Sequence, residues 1–112
     1  MHTTERRQTP RIPLNRTLLA RLPNQEKFFG TTSDISQEGL GFYTATPLPE
    51  GAVLTVQLDL PDAEQTPHAL TLEGFVSHCV DTFENGYHIG LQLRNPPQDF
   101  EQLITHLIQR SV

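Results

Sequence analysis

From Thr17 onward the apolar residues of this chain recur at every second position in short runs. That period of two is the pattern of half-buried strands. The stretch from Val53 to Leu60 shows it best, with Leu54, Val56, Leu58 and Leu60 on one face and Thr55, Gln57 and Asp59 on the other. Further strands are predicted at 17–22, 27–36, 39–46, 69–82 and 87–93, six in all. Turn-forming residues fall between them, and at Glu84-Asn85-Gly86 the last two are predicted to take the positive φ of a tight hairpin. Six short strands joined by hairpin-length loops predict a mainly all-β fold, a six-stranded antiparallel barrel. After Asn95-Pro96-Pro97 the period changes, and Phe100, Leu103, Ile104, Leu107 and Ile108 form one stripe of an amphipathic helix. Asp99 and Glu101 near its start and Arg110 near its end match the helix dipole. At 112 residues there is room for one core. The expected organisation is a single domain with an arm over 1–16, a barrel over 17–95 and a helix over 96–112.

Charge is distributed unevenly. Residues 1–27 carry six basic groups against two acids, whereas residues 28–93 carry nine acids and no Lys or Arg. An acidic body repels a long polyanion, so general nucleic-acid binding is disfavoured, while a local arginine cluster can still hold a compact anion. No stretch approaches the roughly 20 apolar residues of a membrane helix, and the N-terminus lacks an apolar signal core. A cytoplasmic location without direct membrane insertion is therefore expected. Cys79 is the one cysteine, which leaves neither a disulfide nor the Cys pairs of a structural zinc site.

Two segments carry recognition chemistry. In Glu5-Arg6-Arg7-Gln8-Thr9-Pro10-Arg11, the arginine forks suit phosphate and the O6/N7 edge of guanine. Pro10 disfavours helix at Thr9, so Arg7 and Arg11 are expected on a loop that can wrap a ligand. In Asp34-Ile35-Ser36-Gln37-Glu38-Gly39, strand alternation buries Ile35 and puts Asp34 and Ser36 together on the outer surface. An ionised Asp only accepts hydrogen bonds, which matches the two adjacent donors of guanine's Watson–Crick edge. Gly39 is expected to give the turn its backbone freedom. Taken singly, a basic run reads as a solvated tail and DISQEG as an ordinary hairpin.

Together, RxxxR followed about twenty residues later by DxSxxG resembles the PilZ domain family. Arg7, Arg11, Asp34, Ser36 and Gly39 match, with Arg6 directly before. The likeness continues through GLGFYTATPLPEG, the EGFV stretch and GYHIGLQL, and departs at Leu93, where relatives often carry an aromatic. The resemblance implies a six-stranded barrel with a C-terminal helix. It also implies a second-messenger adaptor that binds cyclic di-GMP through Arg6, Arg7, Arg11, Asp34, Ser36 and Gly39, and signals to an unidentified downstream protein. Residues 1 to about 12 are expected to be mobile without ligand and ordered with it. A rival is a PilZ-fold interaction module that acts without nucleotide.

An enzyme finds little support. His78 and Cys79 are strand neighbours and point to opposite faces, so they make no nucleophile–base dyad. A hairpin centred on Asn85-Gly86 would pair His88 with Phe83 and His78 with Leu93, leaving no three-ligand metal site. No metal or other cofactor is expected.

Overall fold

Alternating side chains can bury one face of each strand only if the sheet closes or finds a cover, and here it closes. The computed structural model describes residues 10–111. Strands β1 (Ile12–Pro13), β2 (Thr17–Arg21), β3 (Lys27–Ile35), β4 (Gly39–Thr44), β5 (Val53–Pro61), β6 (Pro67–Asp81) and β7 (Tyr87–Arg94) precede helix α1 (Gln98–Ser111). The antiparallel pairings run β2–β3–β4–β7–β6–β5 and return to β2, a six-stranded ring with no free edge. The six predicted strands are all present. On β5 the predicted inner set, Leu54, Val56, Leu58 and Leu60, is buried. Phe42, Leu72, Val76, Ile89 and Leu91 join it from the other strands in one continuous core. Leu93 is buried in the same core. Helix α1 lies against β1 and adds Phe100, Leu103 and Ile104, with Leu107 and Ile108 half-buried at the margin.

Three local features depart from the pattern the sequence predicts. The first is β1, which falls where the sequence assigns an arm. Ile12 pairs with Ile35 and Pro13 with Asp34, and Ile12 is buried. A single apolar residue between Arg11 and Pro13 leaves no periodicity to read, yet it anchors the end of the arm. The following backbone is held by Thr32, whose buried hydroxyl donates to the Leu14 carbonyl (2.7 Å) and accepts from the Arg16 N–H (2.8 Å).

The second is the β6–β7 connection. Its loop spans residues 82–86, with positive φ at Phe83 and Gly86 and not at Asn85. The Thr82 hydroxyl donates to the Gly86 carbonyl (2.7 Å) and accepts from the Asn85 N–H (2.9 Å), closing a turn wider than a two-residue hairpin. The predicted register is displaced as a result: His88 lies opposite Val80 and His78 opposite Gly90.

The third is a pair of bulges. The β3–β4 register shifts between Thr32 and Asp34, and the β6–β7 register shifts between Val76 and His78. Ser33 and Ser77 are the extra residues, each a two-against-one insertion that breaks the alternation. Thr32 and Ile35 both face inward with Ser33 and Asp34 between them. Likewise Val76 is buried, Ser77 and His78 are exposed, and Cys79 returns to the core. Each bulge therefore turns two consecutive polar residues outward.

Candidate functional site

The described end of the first motif segment meets the second. Arg11 immediately precedes β1, whose pairing with the end of β3 sets it beside Asp34. Arg11 Nη2 donates to Asp34 Oδ1 at 2.7 Å across 23 residues of sequence, and both side chains are about one-third exposed. They line one cavity of about 500 Å³ together with Glu38, Gly39, Ser77, His78, His88, Gly90, Leu91 and Gln92. That volume falls in the ~300–1,000 Å³ range of small-ligand sites. Both bulges contribute to it: β3 offers Asp34, and β6 offers Ser77 and His78. Arg6 and Arg7 lie outside the described residues.

Ser36 is not placed as the sequence predicts. β3 ends at Ile35, so alternation no longer applies, and Ser36 is buried instead of exposed beside Asp34. Its Oγ accepts from the Glu38 N–H (3.2 Å) and the Gly39 N–H (3.1 Å), while its own N–H donates to the Gly39 carbonyl (2.9 Å). The turn is thus tied from within, and the Leu93 N–H, donating to the Glu38 carbonyl at 2.9 Å, ties it to β7. Ser36→Ala would leave two N–H groups without this acceptor. It is expected to lower stability by about 1–3 kcal/mol, read by thermal unfolding. Gly39 has no positive φ, and its requirement is close approach: a Cβ there would stand 3.0 Å from the Leu91 carbonyl oxygen and 3.9 Å from an Arg11 nitrogen.

The corrected register also brings together two residues that the sequence sets apart. His78 and His88 are diagonal neighbours on the outer face, with His78 Nε2 3.2 Å from His88 Nδ1 and the rings stacked at 5.4 Å and 19°. Gly90 makes room for this: a Cβ there would fall 2.3 Å from the His78 ring. His88 Nε2 reaches Ser33 Oγ at 2.9 Å, and the Tyr43 ring meets the His88 ring edge-on at 4.9 Å. Burial holds the His88 imidazole below its ordinary pKa, with nearby His78 and Arg11 acting in the same direction and Asp34 opposing them. The only sequence signal for this pair is two histidines on adjacent strands, which is insufficient without the bulge and the loop length. Among the described residues no cluster of three His, Cys, Asp or Glu side chains could hold a metal. None of the described helices is long and apolar enough to cross a membrane.

Against known proteins, the model of the PilZ domain family matches residues 5–110. No curated protein matches the chain in sequence. Among solved structures, the inhibitor of motility MotI/DgrA of Bacillus subtilis superposes with a TM-score of 0.79 at 19% identity, covering 94% of this chain and 51% of that one. The complex of K. pneumonia MrkH with c-di-GMP gives 0.70 at 22% identity, covering 94% and 51%. The PilZ domain of Escherichia coli YcgR with c-di-GMP gives 0.61 at 17%, covering 94% and 90%. The chain thus spans about half the length of the first two. At these identities the likeness is one of fold.

Proposed function

Because the chain belongs to the PilZ domain family, we propose that it is a receptor for cyclic di-GMP that presents a ligand-dependent surface to a downstream protein. The observation that carries the reading is the 2.7 Å contact between Arg11 and Asp34 on the rim of one cavity. It sets the last arginine of RxxxR beside the aspartate of DxSxxG, which supports reading the two segments as one site. Similar folds in MrkH and YcgR are solved with c-di-GMP, which supports the choice of ligand.

In this reading the ligand inserts between the two segments. Its phosphates and the O6/N7 edges of its guanines take the forks of Arg6, Arg7 and Arg11, and a guanine Watson–Crick edge donates to the Asp34 carboxylate. Ser36 serves by tying the turn, and Gly39 by letting Arg11 and the Leu91 carbonyl approach. Each charge-assisted hydrogen bond contributes about 1.5–3 kcal/mol. Micromolar affinity needs about 8.2 kcal/mol, the sum of about three to five such contacts, and each arm residue that binding fixes subtracts roughly 1–2 kcal/mol. The role is recognition and presentation, with no bond made or broken.

Isothermal titration with cyclic di-GMP tests this, with cyclic di-AMP as the control that lacks guanine's paired donors. Saturable binding at about micromolar Kd or tighter, selective for the guanine ligand, is expected. No heat from cyclic di-GMP at concentrations about a hundredfold higher would remove the reading and leave an interaction module that acts without nucleotide.

A further inference from the structure

The motif residues leave one part of the cavity unused: the stacked His78 and His88 on its β6 and β7 wall. The hydrogen bonds Ser33 Oγ···His88 Nε2 (2.9 Å) and His88 Nδ1···His78 Nε2 (3.2 Å) form a chain of three groups. In a neutral imidazole one nitrogen donates and the other accepts, so the chain can be satisfied in either direction. It can also take one more proton without losing a bond. His78 then donates from Nε2 to His88 Nδ1, while its own Nδ1 carries the added proton and His88 donates to Ser33. A second proton would set two N–H donors against each other at 3.2 Å. The hydrogen-bonded pair therefore has room for one positive charge, and a second would break the contact between the rings.

The location of that charge follows from the surroundings. His88 is half-buried and resists charging, whereas His78 is exposed. Other charged or titratable groups facing the pair are Arg11 before β1, Asp34 on β3, Glu38 in the turn after β3 and Tyr43 on β4. On the pair's own strands, β6 and β7 add only Ser77, Gly90, Leu91 and Gln92 to the described lining. Residues 28–93 contain no Lys or Arg, so on this wall the histidines are the available source of positive charge.

We propose that the His78–His88 pair is a proton-loaded second anion grip, so that binding of cyclic di-GMP is coupled to proton uptake by the pair, a fraction of one proton on average. This deepens the proposed function and rests on it. The phosphodiesters of the ligand stay ionised throughout the imidazole range, so the pH dependence originates in the protein. An imidazolium on the cavity wall attracts the dianion, and by linkage the dianion favours the imidazolium. Lowering the pH from about 8 to about 6 is expected to tighten binding about threefold to tenfold.

The test is calorimetric titration of the full chain with cyclic di-GMP across that range, in two buffers of different ionisation enthalpy, for the natural sequence and for His78→Gln. The natural sequence should bind more tightly at low pH with net proton uptake, and His78→Gln should lose the slope whatever its affinity at high pH. Binding that is flat with pH, or a slope retained in His78→Gln, overturns the proposal while the receptor reading stands. No binding at any pH overturns both. A second measurement needs neither ligand nor variant: NMR titration of the imidazole Cε1–H signals in the free protein. Shared one-proton behaviour of the two rings supports the pair, and two independent full titrations overturn it.

Discussion

Arg11→Ala is expected to weaken cyclic di-GMP binding by about tenfold to a hundredfold while leaving the thermal midpoint nearly unchanged. Arg11 offers the described cavity its one fixed positive charge, and Asp34 already holds its guanidinium toward the rim. Truncation removes that fork from the ligand. The cost to the fold is small because the ion pair is 31% and 32% exposed, and exposed pairs contribute about 0–1 kcal/mol. Calorimetric titration and thermal unfolding of the same preparation separate the two quantities. Arg7→Ala is expected to lose a similar factor if the arm acts as one unit. Unchanged affinity in both variants would count against the receptor reading.

Ile35→Ala is expected to lower stability by about 2–5 kcal/mol, whereas Asp34→Ala should chiefly weaken binding. Ile35 is fully buried and lies between Ile12 of β1 and Leu40 of β4, so its truncation opens a cavity where three strands meet. It also loosens the seat of Ile12, the residue that fixes the position of Arg11. Asp34 stands on the outside, and losing it leaves Arg11 in contact with solvent and not as an isolated buried charge. The chain has no tryptophan, so urea unfolding followed by far-UV circular dichroism is the suitable readout. An Asp34→Ala midpoint lower than that of Ile35→Ala would mean that the facing of β3 is wrong.

The barrel is legible in the sequence because each of its strands repeats a two-residue period over enough positions to outweigh local noise. On β5 every inward residue is a leucine or valine, and on α1 the stripe at Phe100, Leu103 and Ile104 follows the 3.6-residue period to its buried positions. The site is less legible because it occupies the places where the period fails. Ser33 and Ser77 are polar and suit the outer face in either register, so nothing in their chemistry marks them as extra residues. The β6–β7 loop contains Asn85-Gly86, which reads as a two-residue turn, yet the backbone reverses over five residues and moves every opposite pair beyond it. Ser36 lies one residue past the end of β3, where alternation gives the wrong side. Arg11 and Asp34 stand out in the sequence for a different reason, residue identity at fixed spacing, which needs no periodicity; their direct contact does not, because it depends on the pairing of β1 with β3.

The two bulges also bear on how such a site can change over generations. In most of a closed ring of strands, losing one residue turns every side chain beyond it to the other face, and selection against that change is severe. Ser33 and Ser77 are exceptions. Deleting either would let the ladder run on in regular register, from Thr32–Phe42 to Asp34–Gly41 on one side and from Val76–Leu91 to His78–Gly90 on the other, with each inward residue still inward. A lineage can therefore add or remove a polar group by a change in chain length as well as by substitution, at the cavity lining with Ser77 and behind it, against His88, with Ser33. The surroundings of this cavity have a route of variation that leaves the core untouched.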